Sequence, residues 1–567
     1  MSNAHPVEAL ARVAQEFGPG KAREKLRLLE AIGPIARLSA RRLRRLHGAI
    51  YFLRAYPDDR SVLDAVRSTI PLLRDAVERY TVEEPFHPGF LNTGLPGSVN
   101  AYSYSYAVLQ RLVELYPGAL EIDWENEFDT APLTGALVLA LARGEMRGLE
   151  DDYVDLQEWL DYSRTDPDQT DLEVVLRLLR RSPLDPEQQK HVFENCNVPV
   201  VFSLSRPGTG RCEIVVEPLR PDFRNRPIER ETFALGPRIM KPPERSRRLT
   251  PVAGRRMLDL SLAALCNRNL EIYPLIYGNP ADLTLVDCGR GLQVLLAATL
   301  PRFRETPETL LFYLILKNGV PIAYGPASVF LGCCEMGMNL FPEFRGGEVR
   351  FFYAQLMRSL YHLAGVRYFW VTAYGMGEDN PEALKSGAFW FYRKLGFRAT
   401  NADVEALART EDHKRRRNSR YRCSMQMLRR LSHTQAHFDL SGGDCVPTHF
   451  ARLALAASRH ITKSFAGDRV RAQRLGGRRL AKILGAKDYA SWDTGKKTAM
   501  EQLAPVFGMI PDLDRWPARD RRSLLAAIRA RGTDDDMAYA RSVAANRRLR
   551  KSIGTLNPPS PSTPAAT

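Results

Sequence analysis

What the sequence lacks narrows its class before any motif is read. Across 567 residues, no apolar run approaches the roughly 18 residues that a membrane-crossing helix needs. The stretch "GALVLALA" at 135–142 is too short. The opening "MSNAHPVEALARVAQEFGPG" has neither the basic start nor the apolar block of a secretory signal. Cysteine is sparse, eight in all with no CxxC pair, a pattern that points to free thiols in a reducing compartment. The expected location is therefore cytoplasmic. No helix-turn-helix, zinc finger or RNA-binding signature is present either.

What is present is the composition of an ordinary globular protein, 44% hydrophobic and 26% charged, on a chain long enough for two to four domains. The formal net charge of +16 favours acidic partners: nucleic acid, anionic lipid or a phosphorylated small molecule. Much of the excess is arginine in helical patterns such as "ARRLRRLHGAI", which also reads as a solvated face.

Hydrophobic periodicity divides the chain. Residues 1–195 read as a helical N-terminal domain. In "DRSVLDAVRSTIPLLRDAVERY", Val62, Val66, Ile70, Leu73 and Val77 recur at three- and four-residue spacing on one face. Residues 196–251 read as a short β-containing segment, with strands at "VPVVFSLS" and "CEIVVEPL", followed by the Pro/Arg-rich linker "GPRIMKPPERSRRLTP". Residues 252–400 form an α/β unit, a mixed sheet with flanking helices. A basic linker and a helical C-terminal region occupy 401–553. The tail 554–567, "GTLNPPSPSTPAAT", has the composition of disorder.

Within the α/β unit, "DCGRGLQ" reads as a glycine turn leading into a helix at "LQVLLAATL". "LLFYLIL" and "VPIAYGPASVFL" are strands joined at Asn318-Gly319, the strongest short hairpin signal because both residues tolerate positive φ. "CCEMGMNLF" is a third strand, whose alternation puts Cys333, Glu335, Gly337, Asn339 and Phe341 on one face. The loop "PEFRGG" then opens the helix "EVRFFYAQLMRSLYHLAG", "VRYFWVTAYG" is a fourth strand, and Asn380-Pro381 starts a last helix ending at Gly396.

Two stretches carry chemistry. A glycine loop opening a helix offers unpaired N–H groups and the positive end of the helix dipole, which suit a pyrophosphate. Here Gly346 and Gly347 allow close approach, and Arg345 adds charge-assisted hydrogen bonds. The competing reading is a tight turn that caps the helix, with Glu348 favouring its N-terminal dipole. The second stretch, "SGAFWFYRKLGFRA", holds Phe389, Trp390, Phe391 and Tyr392 in succession. Such clusters are usually packing; Tyr392 is also a phenol that stays protonated at neutral pH.

The order of elements, with "EFRGGEVRFFYAQLMR" and "FYRKLGF", resembles the GNAT superfamily of acyl-CoA-dependent N-acyltransferases over roughly residues 273–399. The resemblance implies transfer of an acyl group, most simply acetyl from acetyl-CoA, to an amine on a small molecule or a protein. Arg345, Gly346 and Gly347 would then hold the pyrophosphate, and Tyr392 would be the general acid that protonates the leaving thiolate. Glu335 would be the base, with Glu378 and Asp379 as alternatives. The loop departs from the family's pattern: it is compressed, and Glu348 puts a carboxylate where a phosphate would go. Two rivals stand beside this reading. Aminoacyl-tRNA-dependent transferases resemble GNATs without a good pyrophosphate loop and suit the positive charge. A degenerate, non-catalytic GNAT domain in a helical protein-binding scaffold is the other.

"HTQAHFDLSGGDCVPTHF" gathers His433, His437, Cys445 and His449. The spacing of the first two would let them share a helical face, but no glutamate follows His433 as the metalloprotease motif requires. No metal is assigned to them.

Overall fold

The computed structural model describes residues 5–32, 35–150, 154–218, 220–228, 233–346, 348–418 and 420–556. Of the tail 554–567 expected to be disordered, residues 557–567 lie outside them, and 554–556 form the end of the helix Arg547–Leu556 instead. Among the described residues no helix is long and apolar enough to cross a membrane.

The N-terminal region is mainly helical, led by Ala40–Ala55 and Arg60–Glu83. The five apolar residues singled out on the latter are all buried, so the 3.6-residue periodicity there reports a real core face. The region also contains short strands β1 (Val99–Tyr102) and β2 (Leu120–Ile122), which flank β3 (Val200–Ser203) in a small antiparallel sheet. The second strand expected, "CEIVVEPL", does not form. Its backbone groups are met one at a time instead: Arg54 donates to Cys212 O, and Val216 N donates to Gly319 O.

The large sheet has ten strands: β4 (Arg245–Arg248), β5 (Gly278–Asp287), β6 (Leu292–Thr299), β7 (Thr309–Lys317), β8 (Val320–Phe330), β9 (Cys333–Met336), β10 (Asn339–Leu340), β11 (Tyr368–Val371), β12 (Arg398–Ala399) and β13 (Ala436–Asp439). Their spatial order is β12-β13-β11-β9-β8-β7-β6-β5-β4, with β10 paired to β8. Every pairing is antiparallel except β9 with β11. The sheet thus runs past both edges of the expected 252–400 unit. Part of the presumed linker pairs as edge strand β4, whose four exposed residues, three of them arginine, keep the edge polar. The C-terminal region contributes β13 between β11 and β12.

Other differences have local causes. "LQVLLAATL" is strand β6 rather than a helix; a short apolar run buried on both faces carries no period that separates the two. The turn before it is confirmed, with Gly289, Arg290 and Gly291 all at positive φ. "CCEMGMNLF" is broken into β9 and β10 at Gly337 and Met338. The last helix is two, Pro381–Ser386 and Ala388–Leu395, because Gly387 turns left-handed between them. The Asn380 cap does form, accepting from Ala383 N at 3.1 Å.

Two clamps join the regions. The β7–β8 hairpin tip has Asn318 at φ 48° and Gly319 at φ 75°, as the Asn-Gly pair predicts. Asn318 Nδ2 donates to Ala55 O and Asp222 O, and its Oδ1 accepts from Asp222 N. At the other side, buried Arg304 donates to the carbonyls of Thr299, Arg531 and Thr533. Arg531 in turn holds both oxygens of Asp536 at 2.6 Å. A separate C-terminal core, including Trp492, Phe507 and Ile528, packs on Phe330 and Leu331 at the end of β8.

Gly319→Ala should cost more than about 2 kcal/mol in chemical denaturation. The added Cβ would lie 1.6 Å from Val216 O at a φ that side chains rarely adopt. A variant as stable as the wild type would show that the hairpin tip is not clamped.

Asp282 supplies a pH-dependent check on the second clamp. It is almost fully buried, accepting from Asp536 N at 2.8 Å and Arg304 at 3.3 Å. Burial pushes its carboxyl up to about 7, against roughly 4 in an unfolded chain. The native state therefore keeps a proton that the unfolded chain releases, and this contribution to stability is lost as pH rises from about 4 to about 7. The unfolding midpoint should fall between pH 5 and pH 8, and Asp282→Asn should flatten that fall. Identical pH profiles for the two proteins would contradict this.

Candidate functional site

β9 and β11 pair through three positions, Cys333 with Tyr368, Cys334 with Phe369 and Glu335 with Trp370. They then part. The β9 chain passes Gly337 and Met338 to reach β10, which pairs with β8, whereas β11 ends at Val371 and the next residue, Thr372, accepts from Gly375 N through its hydroxyl and caps the short helix Ala373–Met376. The helix Val349–Ala364 connects the two strands. The pairing of β9 with β11 breaks off beyond Glu335 and Trp370, and an added Cβ at Gly337 would meet nothing within 4 Å.

Tyr392 reaches this break from the Ala388–Leu395 helix. Its hydroxyl faces the backbone of Met338 and lies beside that of Tyr353; burial pushes its pKa up to about 12. Its ring meets Tyr353 edge-on at 5.6 Å and Phe397 at 5.5 Å. Tyr313 donates to Gly337 O, one residue before Met338. Three buried tyrosines thus converge on one break in a strand. The neighbours of Tyr392 in its stretch pack, as aromatic clusters do. Phe389 and Trp390 are buried, and the indole of Trp390 lies 3.1 Å from Cys423 Sγ with Arg415 stacked on its ring. Phe391 is half-buried against Tyr353.

The loop before the Val349–Ala364 helix is pinned by its aromatics. Phe341 is fully buried, and Phe344 packs on Tyr51 at 5.1 Å. Arg345 and Gly346 are both exposed. Arg345 pairs with Glu382, itself exposed, at the start of the Pro381–Ser386 helix. Gly346 sits at φ 129° with open space where a Cβ would be. Gly347 lies outside the described residues.

Glu348 does not project a carboxylate into the loop's mouth. Its side chain is buried in the opposite sense, accepting from Arg224 Nη1 at 2.9 Å and Tyr56 OH at 3.0 Å. Nor does it cap its own helix. Lys317, buried at the end of β7 and paired with Asp222 at 3.1 Å, adds positive charge nearby; burial lowers its pKa. Arg224, Tyr56 and Lys317 come from three distant parts of the chain, so no local spacing announces them.

Glu335 and Tyr392 are not brought face to face. On β9, Cys334 and Met336 point to the side of Tyr353 and Tyr392, and Glu335 points to the other. There it belongs to a cross-strand row: Ser328, Glu335, Trp370, His437 and Arg398 are successive register partners. Ser328, Glu335 and Trp370 line an open crevice with Thr448 and Phe450 of the C-terminal region. Half-burial and the nearby Glu308 raise the Glu335 carboxyl. The alternative acids lie elsewhere: Glu378 is 2.6 Å from His433 Nδ1, and Asp379 occupies the turn beside it at φ 50°. His437 is on β13 rather than on a helix shared with His433. No protein-family model, curated protein or solved structure matches the chain.

Because Glu348 is held inward, Glu348→Ala should act on the fold. Removing one partner of a buried pair leaves Arg224 uncompensated, a loss of about 3 kcal/mol, and the melting temperature should drop. Unchanged stability would place the carboxylate in solvent.

Proposed function

We propose that the chain is an N-acyltransferase with a GNAT-like central unit, moving an acyl group, most simply acetyl, from acyl-CoA to an amine. The observation that carries this reading is the parting of β9 and β11 with the Tyr392 hydroxyl at the break.

The residues at the gap suit such a donor. Gly337 and Gly346 leave room for it, and the inward turn of Glu348 removes the repulsion that the sequence suggested. The Arg345 pair with Glu382 is exposed and so worth at most about 1 kcal/mol, which a pyrophosphate can outcompete. CoA would supply the activated thioester; the protein supplies position and protons. The Met338 backbone stands where a carbonyl can be oriented. Tyr392, protonated throughout the physiological range, holds the proton needed by a leaving thiolate. Glu335 lies across the strand from it, so an amine that entered by the crevice would lose its proton on one face of the sheet while the sulfur gains one on the other. A raised carboxyl makes Glu335 a better base than an ordinary glutamate.

A basic ridge favours a second reading, transfer from an aminoacylated RNA. Lys414, Arg416 and Arg417 are exposed at the end of the helix Ala402–Arg417, whose Arg415 stacks on Trp390.

Thermal unfolding of the full chain with acetyl-CoA, CoA and tRNA in parallel separates the readings. Ligand at about 100 times its Kd stabilises by about 2.7 kcal/mol, a shift that is readily seen. CoA-dependent stabilisation supports the first reading, tRNA-dependent stabilisation the second, and neither leaves the non-catalytic scaffold. Where CoA binds, Tyr392→Phe should keep that stabilisation yet cut thiol release, measured with a panel of amines, by about a hundredfold. Full activity, or collapse of the fold, would make Tyr392 a packing residue.

A further inference from the structure

We propose that Cys333 and Cys445 form a redox-active dithiol, closed to a disulfide by a peroxide, that ties the C-terminal segment carrying Thr448 and Phe450 to the site strand β9. The sequence separates these cysteines widely; the fold brings them together. Cys333 opens β9, and Cys445 lies in the loop between β13 and the helix Phe450–Phe465. The Cys445 sulfur is 3.1 Å from the point where a Cβ on Gly332, the neighbour of Cys333, would be. Both thiols are buried and free, and each lies close enough to shift the other's titration.

The surroundings divide the roles. Ser441 Oγ accepts from the Cys445 backbone N–H at 3.0 Å and fixes that residue's position. The neighbouring Cys333 and the Arg550 charge lower the Cys445 thiol, whereas Cys333 is pushed up by Cys445 and by burial. Cys445 is therefore the nucleophile and Cys333 the resolving thiol. The Cys445 thiolate attacks one peroxide oxygen, the O–O bond breaks, and the departing hydroxide takes a proton to become water. Cys333 then attacks the sulfur of the resulting sulfenic acid, and a second water leaves as the S–S bond forms. Two thiols are oxidised and one peroxide is reduced. A peroxide is small enough to reach sulfur that a bulky disulfide reagent cannot. Closure requires the sulfurs to approach to about 2.05 Å; Gly442 and Gly443, both at positive φ in the same loop, give that segment its freedom.

The crevice beside Glu335 is lined by Cys333 itself and by Thr448 and Phe450, three and five residues beyond Cys445. The disulfide would fix that wall of the crevice in place. The pairing itself does not depend on the acyltransferase reading.

The full-length reduced protein treated with one equivalent of hydrogen peroxide, then alkylated under denaturing conditions, provides the test by peptide mass mapping. The expected product is a Cys333–Cys445 linked peptide lighter by two hydrogens, reversed by dithiothreitol, with the other six cysteines alkylated. In Cys333→Ser the sulfenic acid on Cys445 should persist and be trapped by dimedone. In Cys445→Ser, Cys333 should stay a thiol, which keeps the test usable if the first variant misfolds. A different linkage, oxidation spread over other cysteines, or no oxidation at tenfold excess would overturn the proposal.

Discussion

Among the described residues β9 and β11 are the one parallel pair in an otherwise antiparallel sheet, and they share only three register positions before separating. A parallel pair cannot be joined by a tight turn and needs a crossover. The Val349–Ala364 helix is that crossover, and its Tyr353 packs on Tyr392 at the break. Separation leaves backbone at Gly337 and Met338 without a second neighbour in the ladder. The Gly337 carbonyl accepts from the Tyr313 hydroxyl, and the Tyr392 hydroxyl faces the Met338 backbone. The crossover helix and the tyrosine cluster thus follow from one topological choice.

The long flanking regions exist in part because of the same sheet. An isolated sheet of this size has two faces to cover and two edges to protect. The N-terminal region holds the β7–β8 hairpin tip through Asn318 and buries the loop aromatics Phe341 and Phe344. The C-terminal region covers the far end of β8 and β9, supplies β13, and locks itself on through Arg304 and Arg531. The charge clusters at these junctions are buried and hydrogen-bonded.

Local chemistry was legible in the sequence. Asn318-Gly319 announced its hairpin, Asn380-Pro381 its cap, and the Val62 to Val77 spacing its helix face, because each depends on neighbours in the chain. Non-local pairing was not legible. β6 was read as a helix because its apolar run has no diagnostic period, and β4 was read as linker because nothing in "RSRR" signals an edge strand. The direction of Glu348 was hidden for the same reason: its partners Tyr56 and Arg224 lie hundreds and more than a hundred residues away. Of the site residues, Tyr392 is at the break and Arg345 and Gly346 face solvent, whereas Glu335 looks to the other side of the sheet.

The central claim is that the gap between β9 and β11 receives an acyl-CoA. Hydrogen–deuterium exchange on the full chain, with and without saturating CoA, tests it at the residues concerned. The account predicts slowed exchange at residues 336–340 and 371–376, on the two sides of the gap, and in the loop from 345. Protection confined to other parts of the chain, or no protection anywhere, would contradict it.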